Sequence, residues 1–337
     1  MGDACEGYNV TRGQVAFAGA LEENGVPTCR LPGSTAPGSA SRRSRGGGFG
    51  LRLGIVADAH LGPAGTRIPA FHVEYGNADT LTAYRLALRW CVREGADGLV
   101  LLGDLSHFGD EESLEAGVRT AAETGLPVWA ASGNHDCFSR EDAFAEAVRR
   151  VGAGNVRLLT PEGEVVEEGL RLAGFSVENG SWGYAAGQDG RPHVSKWGDD
   201  ECVAWLTHYP AISFSGEVSS AGLTYGSDLE DLGEVARLLL GREAPTIVVN
   251  GHVHVRTTRI EDPVLQVSCA ALVEPPFEVT LLDLEKFGGD QVKVRRESTS
   301  LVPSLAVHPP AFSPPRQRWA FEAGTWRTAG SARPPKQ

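Results

Sequence analysis

Two histidines one residue apart, His252 and His254, close the apolar run PTIVVNGHVH at 245–254. In an extended backbone, side chains at i and i+2 leave on the same side, so both imidazoles can enter one cavity. Paired imidazoles where a buried strand ends point to metal ligation. The same pattern occurs at four further places. LRLGIVA ends in Asp58-Ala59-His60, GLVLLG in Asp104, PVWAAS in Gly133-Asn134-His135-Asp136, and VAWLT in His208. Taken singly, Asp58, Asp104 or Asn134 reads as a turn or cap residue, and one histidine as a satisfied core or surface side chain. Taken together, the five tips hold five of the nine histidines of the chain. That set has the chemistry of a metal-binding or phosphate-handling site.

Such tips need strands that end on one edge. LRLGIVA is a buried-strand candidate, followed by a helical pattern around 78–94. GLVLLG then leads to a helix over 111–124, and PVWAAS to a helix over 141–151. Strands alternating with helices predict a parallel sheet covered on both faces, which the near-continuous apolar runs support. In an open parallel sheet, ligands bind in the crevice beyond the carboxyl ends of the strands. Short strand pieces broken by Gly163, Gly169 and Gly174 are expected over 155–177, and an aromatic loop with Trp182, Tyr184 and Trp197 over 178–200. A helix follows over 229–240, and VLQVS, FEVTLLDL and QVKVRR read as strands in antiparallel succession. The organisation expected is a disordered leader at 1–50, one domain at 51–297, and a Pro-rich tail at 298–337 with a docked segment near Trp319 to Trp326.

Composition narrows the class. The 337 residues carry 41% hydrophobic and 22% charged side chains, enough apolar material for a full globular core. A net charge of −12 disfavours a nucleic-acid polymer or a membrane surface as partner, since either calls for a basic face. The six cysteines, Cys5, Cys29, Cys91, Cys137, Cys202 and Cys269, form no CxxC pair and no disulfide framework. Scattered thiols of this kind point to a reducing cytoplasm. The cluster Ser41-Arg42-Arg43-Ser44-Arg45 is followed by Gly46-Gly47-Gly48 with no separate apolar segment, which argues against an export signal.

The ordered blocks DAH, GDL, GNHD, THYP and GHVH resemble the calcineurin-like metallophosphoesterase family, from about Arg52 to His254 and on through the last strands to about Arg296. The resemblance implies an α/β fold, a four-layer αββα sandwich of two mixed β-sheets flanked by helices, with a two-metal site at the C-terminal strand ends. It implies that Asp58, His60 and His254 hold a first metal ion, that Asn134, His208 and His252 hold a second, and that Asp104 bridges both. Imidazole, carboxylate and amide oxygen suit divalent or trivalent manganese, iron or zinc, and not calcium. His135 occupies the place of the histidine that protonates the leaving alkoxide or steadies the phosphate. Asp136 is expected to cap the next helix, and Cys137 to pack at a helix start.

The second block departs from part of the family. The phosphoprotein-phosphatase branch has GDxxDRG there, whereas this chain has Gly103-Asp104-Leu105-Ser106-His107-Phe108-Gly109. His107 replaces the acid that orients the catalytic histidine, and Phe108 replaces the phosphate-binding arginine. The chain is more similar to the bacterial phosphodiesterase branch, which implies a small phosphodiester substrate of cyclic-nucleotide or glycerophosphodiester type. His107 is expected to hydrogen-bond His135 or the substrate, or to serve as neutral support. The other readings are a phosphomonoesterase, a nuclease (Asp58-Ala59-His60-Leu61-Gly62 resembles repair nucleases of the superfamily) and a non-catalytic scaffold. Acidity weighs against the nuclease, and the intact His135 against the scaffold.

Overall fold

The apolar runs fold into two facing sheets, and not into the single parallel sheet that their alternation alone predicts. The computed structural model describes residues 42–43, 49–72, 76–77, 79–167, 169–175, 197–198, 200–226, 228–287, 291–302 and 312–329. In chain order, β1 (Arg42–Arg43) pairs with β2 (Phe49–Val56), and β3 (Ile68–Pro69) pairs with β4 (Gly76–Asn77) in the loop beyond it. Then come α1 (Thr80–Arg93), β5 (Gly98–Leu102), α2 (Glu111–Ala122), β6 (Val128–Ala131), α3 (Ala143–Val151) and β7 (Val156–Leu158). Asp79 accepts the Thr82 backbone N–H at 3.2 Å and caps α1, and Asp110 accepts that of Ser113 at 2.9 Å and caps α2. Helix α3 stops at Gly152, whose φ of 62° is the left-handed conformation that glycine adopts without penalty.

The second half supplies β8 (Glu164–Glu167), β9 (Leu170–Phe175), β10 (Cys202–Thr207), α4 (Ser215–Ser220), α5 (Leu232–Leu240), β11 (Thr246–Asn250), β12 (Thr257–Glu261) and β13 (Val264–Ser268). It closes with β14 (Glu278–Lys286), β15 (Val292–Ser300), β16 (Arg316–Glu322) and β17 (Thr325–Thr328). One sheet has the order β17-β16-β15-β14-β2-β5-β6-β7, with β1 beside β2; the other has the order β12-β13-β11-β10-β9-β8. Strands β2, β5, β6 and β7 run parallel, as do β9, β10, β11 and β13.

A period of two decides what each face meets. Along β5, Val100 and Leu102 enter the core between the sheets, while Leu99 and Leu101 pack with α1 and α2 residues such as Leu88 and Leu114. Along β10, Cys202, Ala204 and Leu206 enter the central core, while Val203 and Trp205 pack with Val235 and Leu239 of α5. The layers are therefore helices, sheet, sheet, helix, the αββα sandwich that the family resemblance implies.

Two sequence expectations change. VLQVS becomes β13, parallel to β11 in the second sheet, so it does not start an antiparallel series; only β14 to β17 form one. The chain past 297 returns to the fold: β15 continues to Ser300, and the segment around Trp319 to Trp326 is the β16–β17 hairpin at the sheet edge. Trp319, Phe321 and Trp326 are buried in the central core, which explains why a Pro-rich stretch is followed by ordered strands. The leader expected at 1–50 lies outside the described residues except for β1 and the start of β2, as does most of the aromatic loop at 178–200, Trp182 and Tyr184 included. Trp197 of that loop packs 5.0 Å from Trp205.

Leu206 is fully buried between the sheets. Leu206→Ala is expected to lower the unfolding free energy by about 2–5 kcal/mol in urea titrations, since the cavity adds to the lost transfer energy. A loss under about 1 kcal/mol would show that the two sheets are not held by this core.

Candidate metal centre

The strand tips turn inward through an uncommon backbone conformation. Among the described residues, seven non-glycine residues have positive φ, and five are Asp58 (52°), His60 (45°), Asp104 (48°), His252 (63°) and His254 (56°). Left-handed backbone costs a side-chain-bearing residue on the order of 1–3 kcal/mol and persists where the surroundings enforce it. Here the loops are laced together. Backbone N–H groups of His60 and Leu61 donate to the carbonyls of Asp104 and Leu105 at 2.8 and 2.7 Å, and that of His107 donates to Leu61 at 2.8 Å. Two glycines allow the close approach: a Cβ at Gly133 would meet Asp104 Oδ1 at 2.2 Å, and one at Gly251 would meet Asp58 Oδ2 at 2.5 Å.

Every residue expected at the metals is brought into one crevice. His208 Nε2 lies 3.2 Å from Asn134 Oδ1, 3.3 Å from His252 Nδ1 and 3.3 Å from Asp104 Oδ2. On the other side, His254 Nε2 lies 3.4 Å from Asp58 Oδ1, and His60 Nε2 lies 3.6 Å from the same Asp104 Oδ2. Ligands about 2.0–2.2 Å from one cation stand about 3–3.5 Å apart, so these separations suit shared coordination. His60 Nε2 is buried with no hydrogen-bond partner, an arrangement that costs about 1–3 kcal/mol unless something binds there. Asp58 with His60 and His254, and Asp58 with Asp104 and His208, converge closely enough for a metal ion. The donor set fits two ions.

The carboxylates dominate the electrostatics. Burial alone would push the Asp104 carboxyl up, but His208 and His60 outweigh it and hold it well below the usual carboxylate range. Burial likewise opposes charge on His208 and His254. Asp104 and Asp58 nevertheless raise His208 to about 9, and Asp58 with Glu274 raises His254 to about 10. Burial and the neighbouring His208 bring His252 down to about 4, and burial takes His60 well below its ordinary value. The pocket thus demands cationic charge, and bound metal ions would compete with protons for these nitrogens.

His135 stands beside this set. Its backbone N–H donates to Asp104 Oδ1 at 2.8 Å, and its ring Nδ1 meets the carbonyl of His107 at 2.8 Å. The His107 side chain instead pairs with His60, Nδ1 to Nδ1 at 3.1 Å, so the expected contact with His135 is made by backbone and not by imidazole. Burial and the nearby His135 lower His107 to about 4, which makes it neutral. Asp136 does not cap the following helix: its two oxygens accept the N–H groups of Ser106 (2.8 Å) and Gly133 (2.9 Å), tying the β5 loop to the β6 loop. Cys137 ends the short helical turn 135–137 and its thiol donates to the Glu141 carbonyl at 3.5 Å.

The calcineurin-like phosphoesterase profile matches residues 51–256. The chain belongs to the calcineurin-like phosphoesterase family. A dimetal phosphatase from Danio rerio is similar over 75% of this chain and 96% of its own, with a TM-score of 0.54 at 12% identity. A 5'-nucleotidase precursor from Thermus thermophilus covers 77% of this chain and 56% of its own (TM-score 0.44, 16% identity). A purple acid phosphatase from yellow lupin seeds covers 79% and 56% (TM-score 0.42, 13% identity). At 12% identity the likeness to the Danio rerio protein concerns the fold alone. As a calcineurin-like phosphoesterase, this chain is a metal-dependent phosphoric ester hydrolase.

One residue of this phosphoesterase site carries no sequence signal. Glu274, buried on the segment between β13 and β14, accepts from His254 Nδ1 at 2.6 Å with one oxygen and from the N–H groups of Phe71 and His72 at 2.7 and 2.9 Å with the other. A carboxylate behind a ligating imidazole fixes its tautomer and raises its basicity. Glu274→Gln is expected to weaken manganese binding about 10–100-fold in a chelator-competition titration. Unchanged affinity would remove Glu274 from the metal centre.

Proposed function

We propose that the protein is a binuclear-metal phosphodiesterase acting on a small phosphodiester of cyclic-nucleotide or glycerophosphodiester type. The observation that carries this reading is the position of Asp104. One of its oxygens lies within 3.6 Å of both His60 and His208, and the other accepts the His135 N–H, so one carboxylate ties both donor sets to the proton-transfer histidine. We assign Asp58, His60 and His254 to one ion and Asn134, His208 and His252 to the other, with Asp104 shared. When bound, the two cations would polarise the phosphoryl oxygens and lower the pKa of an attacking water.

The chain's own residues supply orientation and the proton. His135 Nδ1–H donates to the His107 carbonyl, which fixes the ring, and in its imidazolium form His135 gives the Nε2 proton to the departing alkoxide and is left neutral. With His60 Nε2 turned to a metal, its Nδ1 keeps the hydrogen and donates to His107 Nδ1. His107 then keeps its own hydrogen on Nε2 and offers it to a phosphoryl oxygen. Preference for a diester is supported by Phe108, whose ring lies 4.6 Å from that of His107. A phenyl at this place suits a singly charged diester better than a doubly charged monoester. A cytoplasmic setting is part of this reading; Cys91, Cys202 and Cys269 are buried thiols without disulfides, and no described helix is long and apolar enough to cross a membrane.

Manganese is expected to stimulate hydrolysis of bis(p-nitrophenyl) phosphate, and His135→Ala to lower kcat about 10²–10⁴-fold while metal content stays at the wild-type level. Absence of turnover with every first-row metal would contradict the proposal.

A further inference from the structure

The mouth of the metal centre is rimmed by phenyl rings. Among the described residues, the exposed large apolar side chains are Phe71, Phe108, Phe138, Val92 and Val165, and each of the three phenylalanines lies against a histidine of this site. Phe71, on the loop after β2, has its ring 4.5 Å from that of His254, 5.1 Å from His60 and 5.9 Å from His135. Phe108, after β5, lies 4.6 Å from His107, and Phe138, after β6, lies 4.3 Å from His135 at an interplanar angle of 38°. Their exposures are 38%, 44% and 61%. Tyr209 stacks on His252 at 3.9 Å and, unlike the phenylalanines, is buried.

Three loops each bring one phenyl to the edge of the same histidine group, where the rings forgo the stabilisation that burial would give. What covers them follows from what lies beneath. A phosphoryl group bound to ions that Asp58, Asp104 and the imidazoles would hold has His107, His135 and these rings as the surroundings of its ester substituent. A polyol would surrender its water there without a hydrogen-bonding replacement. A planar ring has a face to lay on each phenyl. The rim is anchored as well: the Phe71 N–H is held by Glu274, the same carboxylate that holds His254.

We propose that Phe71, Phe108 and Phe138 form a subsite for a planar aromatic ester group, an aryl or nucleobase ring, so that the substrate is an aryl or nucleoside phosphodiester and not a glycerophosphodiester. The subsite rests on the preceding reading that the phosphoryl group binds at the metal centre.

The test uses the full chain loaded with manganese and calorimetric titration with phenylphosphonate and methylphosphonate, which share a head group and differ in the ring. The wild-type protein is expected to favour phenylphosphonate about tenfold or more. Phe71→Ala and Phe138→Ala are each expected to cut that ratio about 3–10-fold, and Phe138→Trp to retain it, with thermal melts verifying folding. A wild-type ratio near one, or a ratio that neither alanine moves, overturns the subsite while leaving the metal-centre reading in place. Failure of both phosphonates to bind overturns that reading, and the subsite with it.

Discussion

The left-handed turns at the ends of β2, β5 and β11 are the constraint on which the rest depends. A strand that continued straight beyond Val56, Leu102 or Asn250 would carry its next side chains alternately to the two faces of its sheet. Positive φ at Asp58, His60, Asp104, His252 and His254 instead folds each tip back into the crevice. Glycines at 133 and 251 give the carboxylates room, and the backbone hydrogen bonds between the β2 and β5 loops hold the turns in register. The strain is offset by the two packed sheets behind it, whose shared core gives the tips a fixed origin.

Charge follows from that geometry. Asp58 and Asp104 are almost fully buried, where an uncompensated carboxylate is expensive, so they draw positive charge onto His208 and His254. Glu274 adds a third buried carboxylate behind His254. A pair of multivalent cations would satisfy the same demand with more charge per site and give the His60 Nε2, which has no hydrogen-bond partner, a ligand. Asp104 lies within 3.6 Å of both His60 and His208 and also holds the His135 backbone, so in the proposed mechanism metal binding and proton transfer share one anchor. On the proposed reading, the phenyl rim sets what can approach that anchor.

Much of this was legible in the sequence because parallel strands buried on both faces read as apolar runs and stop where the chain turns polar. The five tips, from Asp58 to His254, all converge as their residue types imply. The second sheet was less legible from periodicity: a buried strand looks the same whichever sheet receives it, so VLQVS gave no sign that it would pair with β11 and not with β14. The β16–β17 hairpin was blurred by the prolines before it, although its tryptophans marked a docked piece. Glu274 sits among small apolar residues and prolines with no spacing to any histidine, and its role appears only when β13 and β14 bring it behind His254. Asp136 and His107 were read for their side chains alone. Asp136 in fact binds two loops through their backbone N–H groups, and His107 reaches His135 through its carbonyl. No pattern of residue types encodes backbone contacts of that kind.

On the proposed reading, substrate choice lies with Phe108 and the rim around it in the loops that follow β2, β5 and β6, and ligation with the tips themselves. Both presuppose that the crevice holds a pair of ions, and elemental analysis of the manganese-reconstituted chain after desalting tests this most directly. The account predicts two manganese ions per wild-type chain and one or fewer for Asp104→Asn. Less than one ion per wild-type chain would contradict it.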